Sequence, residues 1–317
     1  MQKIAVLTSG GDAPGMNAAI RAVVRTAIHY NMEAYAVYEG YKGLVEGKIK
    51  KMERGDVSQI INRGGTIIGS SRLKDFKKSE VQDIAIKNLN DLGIDALITI
   101  GGDGTYRGAM DLTNKGIKCI AIPGTIDNDI ASTEYTIGFF TALDTAIDAI
   151  DKLRDTSFSH QRCTVVEVMG RNCGDLAIFA GIACGAEIVI TKDTGFDHAA
   201  VMKKVRQASL IGKRHVVIVV AENITDVFQL AKDVEDHSTY EARASVLGYI
   251  QRGGTPSSYD RILASKMGAY AVELIKQGLG GKALFANSLT IGHCDIFDAL
   301  KQKLKSSDLY EYLPKLN

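Results

Sequence analysis

The sequence predicts an α/β protein built mainly on parallel sheets. Short apolar runs of strand type, such as Ala96–Ile100 and Cys119–Ile122, alternate with stretches whose apolar residues recur at helical spacing. Glycine-rich segments follow several of these runs, and a helix-compatible stretch, Tyr106–Asn114, lies between the two runs named. Strand, helix and strand in this order form a parallel βαβ unit, whose chemistry belongs at the carboxyl ends of its strands.

The first strand predicted is Ile4–Leu7, and it leads into a loop of small residues, Thr8–Asn17, that precedes a helix. Such a loop suits phosphate, because glycine lets the backbone approach an anion and a helix N-terminus offers free N–H groups to it. In the helix, Arg21 and Arg25 lie opposite the apolar face. From spacing alone, a solvated basic face is the better interpretation of these two arginines.

The same patterns predict further elements along the chain. Between Ala34–Val37 and Val81–Leu92, the Gly/Ser-rich stretch Ile60–Arg72 carries cations, and we interpret it as a loop over a nucleotide. The other predicted strands are Ala34–Val37, Thr164–Val168, Ile188–Ile190 and Val216–Ala221, and the predicted helices are Val81–Leu92, Thr141–Arg154, Ala199–Leu210 and Tyr259–Gln277.

The composition restricts the classes of partner and compartment. With 317 residues, the chain is long enough for two α/β domains or one very large one. A net charge of +1 provides no electrostatic footprint for nucleic acid or an anionic membrane. The five cysteines form no C-x-x-C pair, which is typical of reduced thiols in cytosol. No apolar run is long enough to span a bilayer, and the chain enters its first strand without room for a signal peptide, so we expect a cytoplasmic protein.

Two loops of the βαβ unit carry the strongest chemical signal, Gly101–Thr105 and Pro123–Asp129. Asp103 would repel a phosphate unless a hard cation lay between them, so its position implies Mg²⁺. Asp127 and Asp129 are two residues apart, and in an extended segment their carboxylates face the same way. One can accept a proton while the other helps to hold metal-bound water. Each loop alone has a structural alternative, because Gly-Asp-Gly is a common turn and Asp-Asn-Asp a common cap.

Several other kinds of site are not supported. The chain contains no G-x-x-x-x-G-K-[ST], no G-x-G-x-x-G and no G-x-S-x-G, and no His/Cys set with metal-ligand spacing. The missing dinucleotide fingerprint weakens an NAD-dependent oxidoreductase as an alternative. Arg72, Arg171 and Arg252 lie in loops, where arginine can bind phosphate oxygens bidentately. Glycine-rich loops, paired carboxylates and these cations together indicate a Mg-dependent phosphotransferase, with the acceptor left open.

Five segments together resemble the motifs of bacterial ATP-dependent 6-phosphofructokinases, in order and at the spacing of that family, and the resemblance covers essentially the whole chain. The middle one, Gly101–Thr105, would not be specific alone, because NAD kinases and diacylglycerol kinases are similar there. The five segments are Thr8–Asn17, Gly101–Thr105, Pro123–Asp129, Met169–Asn172 and Gln251–Gly254.

The resemblance implies transfer of the ATP γ-phosphoryl group to the 1-hydroxyl of fructose 6-phosphate, which gives fructose 1,6-bisphosphate and ADP in glycolysis. Asp127 would be the base that takes the hydroxyl proton, with Thr125 assisting. Arg72 and Arg171 would stabilise the transferring group, and Asp103 with Asp129 would hold Mg²⁺. The residues expected to contact ATP, the co-substrate, are Gly11, Arg72, Leu73, Gly102, Asp103, Gly104 and Thr105.

The same resemblance implies a sugar-phosphate site shared between subunits of a homotetramer. In the family, the arginines that match Arg162 and Arg243 reach the 6-phosphate from a neighbouring subunit; without that resemblance both would be interpreted as surface cations. The expected substrate-binding residues are Thr125, Ile126, Asp127, Arg162, Met169, Gly170, Arg171, Glu222, Arg243, Tyr249 and Arg252.

Two glycines favour ATP as the phosphoryl donor. The pyrophosphate-dependent relatives carry aspartate at the position of Gly104 and lysine at the position of Gly124. A carboxylate at Gly104 would repel and crowd the α-phosphate of ATP. At Gly124 the bare backbone leaves room for the nucleotide.

The family also binds ADP or phosphoenolpyruvate at an effector site, and the chain matches most of its pattern. Glu187 is suited to a Mg²⁺ on the diphosphate, whereas Gln59 stands where an aspartate is common and Ile211 where a cation is common. We expect the loss of a cation that pairs with phosphate to weaken effector binding. The expected effector residues are Arg21, Arg25, Arg54, Gln59, Arg154, Gly185, Glu187, Ile211, Lys213 and His215.

The substrate side departs from the family at two positions. Tyr249 replaces a histidine and Asn223 replaces a glycine. The tyrosine hydroxyl can still donate to a phosphate oxygen but lacks the charge of imidazolium, so we expect a modest loss of sugar-phosphate affinity. These departures are the only support for the alternative, a non-catalytic nucleotide or sugar-phosphate sensor on the same fold. The intact Asp103, Asp127 and Arg171 argue against it.

The resemblance further implies a phosphofructokinase-like fold of two three-layer α/β domains with mainly parallel sheets and the active site between them. The expected larger, ATP-binding domain comprises residues 1–138 and 251–300. The expected smaller, fructose 6-phosphate-binding domain comprises residues 139–250 and 301–317.

Overall fold

The structure is a computed structural model that describes residues 2–316, in which strands and helices alternate along most of the chain. The strands are β1 (Lys3–Ser9), β2 (Glu33–Val37), β3 (Ile49–Met52), β4 (Ala96–Gly101), β5 (Lys118–Pro123), β6 (Arg162–Val168), β7 (Ile188–Ile190), β8 (Val216–Ala221), β9 (Glu241–Val246), β10 (Lys282–Asn287) and β11 (Thr290–Asp295). The helices are α1 (Met16–His29), α2 (Gly40–Val45), α3 (Ser79–Asp91), α4 (Asp103–Asn114), α5 (Phe139–His160), α6 (Asp175–Ala183), α7 (His198–Leu210), α8 (Val227–His237), α9 (Ser258–Lys276), α10 (Ile296–Lys301) and α11 (Leu313–Leu316). Short 3₁₀ turns lie at Lys74–Lys77, Gly248–Arg252 and Asp308–Glu311.

The chain divides into two compact units. The first comprises the residues up to Thr141 together with Arg252–Leu304, and the second comprises Ala142–Gln251 together with the segment that begins at Lys305. Each unit contains one sheet. The assignment of ATP to the first unit and of the sugar phosphate to the second stays a prediction.

The first unit contains a seven-stranded sheet in the order β11-β10-β5-β4-β1-β2-β3. Its central pairings are parallel, and β3 and β11 join the edges in antiparallel fashion. Leu97 packs into a cluster with residues of α3 and α4, while its neighbour Ile98 is also fully buried. Successive residues of a strand point to opposite faces, so both faces of the sheet are covered, as parallel sheets require.

The second unit contains a four-stranded, all-parallel sheet in the order β7-β8-β6-β9. Its central strand β8 is an uninterrupted apolar run, and all six of its residues are buried. Val205 of α7 and Leu230 of α8 pack against one face in a single apolar cluster. The predicted class of fold, mainly parallel α/β sheets, is confirmed.

Some predicted boundaries were wrong. The helix expected to begin at Tyr106 begins at Asp103, so the aspartate lies in the first turn and not in the preceding loop. The helix expected at Thr141–Arg154 extends over Phe139–His160. The antiparallel hairpin of β10 and β11 and the edge strand β3 had not been predicted. Within residues 2–316, no helix combines the length and apolar character needed to cross a membrane.

Candidate active site

Three glycine-rich loops leave the first sheet side by side. Strands β1, β4 and β5 are neighbours, and their last residues Ser9, Gly101 and Pro123 are in register. The pairing continues one residue beyond β5, where Gly124 N donates to Gly101 O at 3.1 Å. The loops that the sequence singled out therefore start from adjacent positions on one edge of the sheet, the edge expected to carry the chemistry.

The segment between β3 and α3 is bound to the first of these loops. The hydroxyls of Thr8 and Thr66 are 2.8 Å apart, and Ser70 Oγ donates to Gly10 O at 2.7 Å. Arg72 lies two residues after Ser70, and its side chain is exposed. These bonds place the cation-bearing segment beside the first loop. Its contact with a nucleotide stays a prediction.

Asn17 is a buried residue of α1 whose role the sequence did not reveal. Its Nδ2 donates to the carbonyls of Arg63 and Gly64 at 3.0 and 3.2 Å, and its Oδ1 accepts from Ile67 N at 2.7 Å. One amide therefore satisfies three backbone groups of the 60–72 segment. The only signal in the sequence was its place at the end of the first motif, and that place gives no indication of these distant partners.

The N-terminus of α4 presents the Gly-Asp-Gly segment. Gly102 is its N-cap, and Asp103 occupies the first turn, where a helix offers free N–H groups. Arg107 binds the Asp103 carboxylate twice, Nε to Oδ2 at 2.9 Å and Nη2 to Oδ1 at 3.2 Å. This ion pair raises the pKa of Arg107. The Thr105 hydroxyl donates to Ser9 O at 3.0 Å and is buried, so its side chain joins α4 to β1.

The two glycines tied to donor choice have different surroundings. A Cβ built on Gly104 would meet no atom within 4 Å, and the residue is exposed. A Cβ on Gly124 would lie 2.9 Å from Cγ2 of Ile100. Space inside this chain thus permits a side chain at Gly104 but not at Gly124 without movement of Ile100.

The loop after β5 is fixed by its own hydrogen bonds. Thr125 N donates to Ile137 O at 3.1 Å, and Ile137 N donates to Pro123 O at 3.0 Å. Asp127 N donates to Thr125 Oγ1 at 3.2 Å. Asn128, at a φ of 51°, accepts from Thr136 N at 3.0 Å. Asp127, the residue expected to act as the base, therefore lies on a loop that hydrogen bonds hold in place, and its side chain is only partly buried.

Arg252 lies against the first loop. A Cβ built on Gly11 would be 3.5 Å from its Nη1 atom. The cation expected at the sugar phosphate and the glycine expected at the ATP phosphates are thus neighbours within one unit. Two anionic ligands held at these positions would both be near this guanidinium.

In the second unit, the loop after β6 has an unusual backbone that Glu222 stabilises. Gly170 has a φ of 141° and Arg171 a φ of 55°, a conformation that side chains rarely adopt. Glu222 Oε1 accepts from the N–H groups of Gly170 and Arg171 at 3.2 and 2.7 Å. Met169 N donates to Oε1 of the buried Gln251 at 3.3 Å. Glu222 therefore positions the Arg171 backbone, a role that the sequence did not indicate.

The C-terminal segment closes over the far end of this loop. The Tyr310 hydroxyl is hydrogen-bonded to Thr191 Oγ1 at 2.9 Å and to Asp193 Oδ2 at 3.2 Å. A Cβ built on Gly174, the N-cap of α6, would lie 2.3 Å from that hydroxyl. Burial raises the pKa of Tyr310 well above its ordinary value. A larger residue at position 174 would require Tyr310 and Thr191 to move.

The arginines expected to act across subunits lie together on neighbouring strands, β6 and β9. Arg162 Nε binds Glu241 Oε2 at 2.6 Å, and Arg243 also binds Glu241 and binds Glu235 at 3.0 Å. These hydrogen bonds and charges, the Arg162 bond foremost, lower the pKa of Glu241. Tyr249, another residue expected to bind the sugar phosphate, is 78% exposed.

The expected effector residues form clusters of charge in each unit. In the first, burial foremost and then the charges of Arg25 and Arg54 lower the pKa of Arg21. In the second, Lys213 Nζ and Val217 N bind the two carboxylate oxygens of Glu187. The contact of Glu187 with Mg²⁺ stays a prediction. Among residues 2–316, the buried side-chain nitrogens without a hydrogen-bond partner include Arg25 Nε, Arg154 Nε and Nη2, and His215 Nδ1.

The remaining effector positions, Gln59, Gly185 and Ile211, differ in what they offer. Gln59 is exposed with a φ of 56°, and Gly185 has a φ of 61° with open space around it. Ile211 is 80% exposed, an unusual position for a large apolar side chain. The structure therefore places an apolar surface where the family commonly has a cation.

Parallel sheets with glycine-rich loops and a loop-borne carboxylate at their carboxyl edge are typical of enzymes that transfer phosphoryl groups. The phosphofructokinase family model matches residues 3–275. The chain belongs to the phosphofructokinase family.

Full-length relatives support the same assignment. The chain is 54% identical over 318 residues to an ATP-dependent 6-phosphofructokinase of Photobacterium profundum, covering 100% of this chain and 99% of the relative. It is 52% identical, with the same coverage, to one of Vibrio campbellii. Phosphofructokinase from Saccharomyces cerevisiae superposes with a TM-score of 0.89 at 34% identity over 99% of this chain and 50% of that one. This chain therefore spans half of the yeast chain but nearly all of the bacterial relatives.

Proposed function

We propose that this chain is an ATP-dependent 6-phosphofructokinase, which transfers the γ-phosphoryl group of ATP to the 1-hydroxyl of fructose 6-phosphate. The products are fructose 1,6-bisphosphate and ADP. The observation that carries the proposal is the placement of Asp127 on a braced loop beside the N-terminus of α4, in a chain that matches relatives of this activity over their full length. The first unit would bind ATP and the second the sugar phosphate.

Asp127 would accept the proton of the sugar hydroxyl as that oxygen attacks phosphorus. A carboxylate is a suitable base here because the proton is lost as the O–P bond forms, when the hydroxyl becomes acidic. Thr125 supports the base, since its Oγ1 accepts from Asp127 N. Loss of such a base typically costs about 10²–10⁴ in rate.

Asp103 and Asp129 would hold Mg²⁺ together with phosphate oxygens. Residues 2–316 contain no group of three or more histidine, cysteine, aspartate or glutamate side chains able to hold a metal. A magnesium site of the proposed kind needs few protein ligands, because Mg²⁺ in nucleotide sites takes one or two carboxylates, and water and phosphate complete its shell. The bound ion would neutralise charge on the phosphates and favour attack at phosphorus.

The arginines would supply the remaining positive charge. Arg72 lies in the segment that Ser70 binds to the first loop, and the backbone of Arg171 is bound by Glu222. Arginines on segments held in this way would lose little freedom when they bind the transferring group. Gly11, Leu73 and the Gly102–Thr105 segment would contact ATP. The sugar phosphate would be bound by Ile126, Met169, Gly170, Glu222, Tyr249 and Arg252, with Arg162 and Arg243 from a neighbouring subunit of a homotetramer.

The effector residues would bind an anion such as ADP or phosphoenolpyruvate. The unpartnered buried nitrogens of Arg25, Arg154 and His215 support an anionic ligand, because buried polar atoms usually have partners. The pKa of His215 is lowered, and burial of the side chain is the largest cause of this shift. The imidazole would therefore be mainly neutral near pH 7. The apolar Ile211 would weaken this binding. As an enzyme of glycolysis, the protein would act in the cytoplasm.

A coupled assay of ADP release with and without fructose 6-phosphate tests the proposal. We expect ADP release that requires both fructose 6-phosphate and Mg²⁺ and yields fructose 1,6-bisphosphate. Binding of ATP or sugar phosphate without turnover would instead identify a sensor. ADP release that ignores the sugar would point to a different acceptor.

A further inference from the structure

Asp260, in the first turn of α9, is a fully buried carboxylate that none of the roles described above uses. Its Oδ1 accepts from Gly138 N at 2.8 Å, and its Oδ2 accepts from Thr141 N at 2.8 Å. The hydroxyls of Thr141 and Ser257 donate to Oδ2 at 2.5 and 3.2 Å. A buried carboxylate is costly unless hydrogen bonds satisfy it, and here four donors do so.

The neighbours of Asp260 complete a closed network. Thr141 Oγ1 donates to Asp260 and accepts from Ser257 N at 2.9 Å, while Ser257 Oγ accepts from Asp260 N at 3.2 Å. Both hydroxyls thus act as donor and as acceptor in this network. Burial raises the pKa of Asp260, although these hydrogen bonds lower it in part.

This network reaches the proposed catalytic loop through one strand-like contact. Gly138 follows Ile137, whose N–H and C=O pair with Pro123 O and Thr125 N at 3.0 and 3.1 Å. Thr125 in turn accepts from Asp127 N. Hydrogen bonds, joined by single residues of the backbone, therefore connect Asp260 to the backbone of the proposed base.

Close packing around this contact leaves little freedom. A Cβ on Gly138 would lie 2.7 Å from Ala13 Cβ and 3.4 Å from Ile126 Cγ2. A Cβ on Gly15 would lie 2.6 Å from Ile137 Cγ2 and 3.5 Å from Asp260 Cβ. The first glycine-rich loop, the 136–138 segment and the Asp127 loop thus meet at one point, beside Asp260.

We propose that Asp260 is a positioning residue for phosphoryl transfer. Together with Thr141 it holds the 136–138 segment in place, and that segment in turn fixes the position and orientation of the loop that carries Asp127. The proposal rests on the proposed function. Small displacements of a base are expensive, since about 1 Å of misplacement can cost on the order of 10² in rate. Asp260 itself does not contact substrate in this role.

The test compares Thr141→Val with Thr141→Ser. Valine has the shape of threonine but removes the hydroxyl that links Asp260 to Ser257, whereas serine retains it. We expect Thr141→Val to lower kcat at least about tenfold with KM for both substrates changed less than about threefold, because the base is misplaced while the binding residues remain. Thr141→Ser should behave as the wild type.

A second measurement does not depend on turnover. Hydrogen–deuterium exchange of the 123–138 peptides should be at least about tenfold faster in Thr141→Val and unchanged in Thr141→Ser. Leu89→Ala, in the buried cluster on α3, serves as the control for general destabilisation; it should lower Tm with normal kcat and normal exchange of these peptides. Asp260→Asn adds a direct substitution, and if it does not fold the Thr141 pair decides.

Wild-type kcat and exchange in Thr141→Val would overturn the proposal, as would a fall in kcat with unchanged exchange of the loop. Equal effects of Thr141→Val and Leu89→Ala on kcat would also overturn it, by reducing the role to stability. If the wild-type chain lacks phosphofructokinase activity, the proposed function fails, but the exchange data still decide whether Asp260 holds the loop.

Discussion

Asp103, the first residue of α4, is bound by both Nε and Nη2 of Arg107 one turn later, at 2.9 and 3.2 Å. Both side chains are about half exposed, at 44% and 57%. The two carboxylate oxygens that would hold Mg²⁺ are thus the ones that the arginine engages. The ion pair and the proposed Mg²⁺ would therefore compete for the same atoms.

Arg107→Gln should therefore raise the apparent affinity for Mg²⁺. An exposed i,i+4 ion pair contributes about 0.3–0.5 kcal/mol, so the Mg²⁺ concentration at half-maximal rate should fall about twofold. Mg²⁺ titration at saturating ATP and fixed ionic strength measures this. Arg107→Lys, which keeps the charge, should change little; a higher Mg²⁺ requirement in Arg107→Gln would mean that Arg107 assists the metal site.

Gly104→Asp should weaken the use of ATP as phosphoryl donor without changing the stability of the protein. The site is open and its φ is not positive, so we expect a Tm equal to the wild type. A carboxylate beside the α-phosphate should weaken ATP by about 1.5–3 kcal/mol, which is about ten- to hundred-fold in kcat/KM for ATP. Gly104→Ala is the matched control for the added Cβ. An unaffected kcat/KM for ATP in Gly104→Asp would disprove the placement of the α-phosphate.

Asp127→Ser should lower kcat about 10²–10⁴-fold, the span expected when a general base is lost. The bonds from Asp127 N to Thr125 Oγ1 and from Thr136 N to Asn128 Oδ1 do not use the Asp127 side chain, so serine can retain both. Initial rates with both substrates saturating provide the measurement. A loss below about tenfold would show that the base is misassigned.

Glu222→Gln and Glu222→Ala should differ. Glutamine keeps an oxygen for the N–H groups of Gly170 and Arg171, whereas alanine leaves both without that acceptor. Losing such a bond costs about 1–3 kcal/mol, so kcat/KM for fructose 6-phosphate should fall about five- to hundred-fold in Glu222→Ala and clearly less in Glu222→Gln. Equal losses in the two variants would mean that the charge matters and not the support of Arg171.

Ile211→Lys should restore a cation to the effector cluster. A charged hydrogen bond to phosphate contributes about 1.5–3 kcal/mol, so ADP should bind about ten- to hundred-fold more tightly in calorimetry with the active site blocked. Leu210→Lys is the control. Leu210 is about as exposed as Ile211, 78% against 80%, and its replacement by lysine adds the same charge one residue away. The same gain in both variants would indicate general electrostatic attraction and not a site.

The sequence predicted the class of fold and the family, because strand-helix alternation and motif order are local properties. It misplaced the start of α4 because Gly102 and Gly104 disfavour a helix by propensity. Contacts distant in sequence outweigh that preference: the Thr105 hydroxyl reaches Ser9 O, and Tyr41 donates to Thr105 O at 2.7 Å. Propensity alone could not anticipate those partners.

The supporting residues of the site were not predictable in the same way. Asp260 forms a local pattern with Ser257 that resembles an ordinary helix cap, yet its main partners, Gly138 and Thr141, are more than a hundred residues away. Glu222 was expected to contact substrate, but its bonds to the Gly170–Arg171 backbone depend on how β6 and β8 pair. Such roles exist only in three dimensions.

The contact between Tyr310 and Gly174 affects the order in which the chain can fold during its synthesis. A ribosome synthesises Tyr310 well after Ala142–Gln251, the main part of its unit, because Arg252–Leu304 lies between them in sequence and belongs to the other unit. The first unit is also interrupted in sequence. Its strand β10 pairs with β5, although the segment Ala142–Gln251 of the second unit lies between these two strands along the chain. We therefore expect the four-stranded sheet to form on the nascent chain before Tyr310 can cover Gly174, whereas the seven-stranded sheet stays incomplete until β10 and β11 have left the exit tunnel.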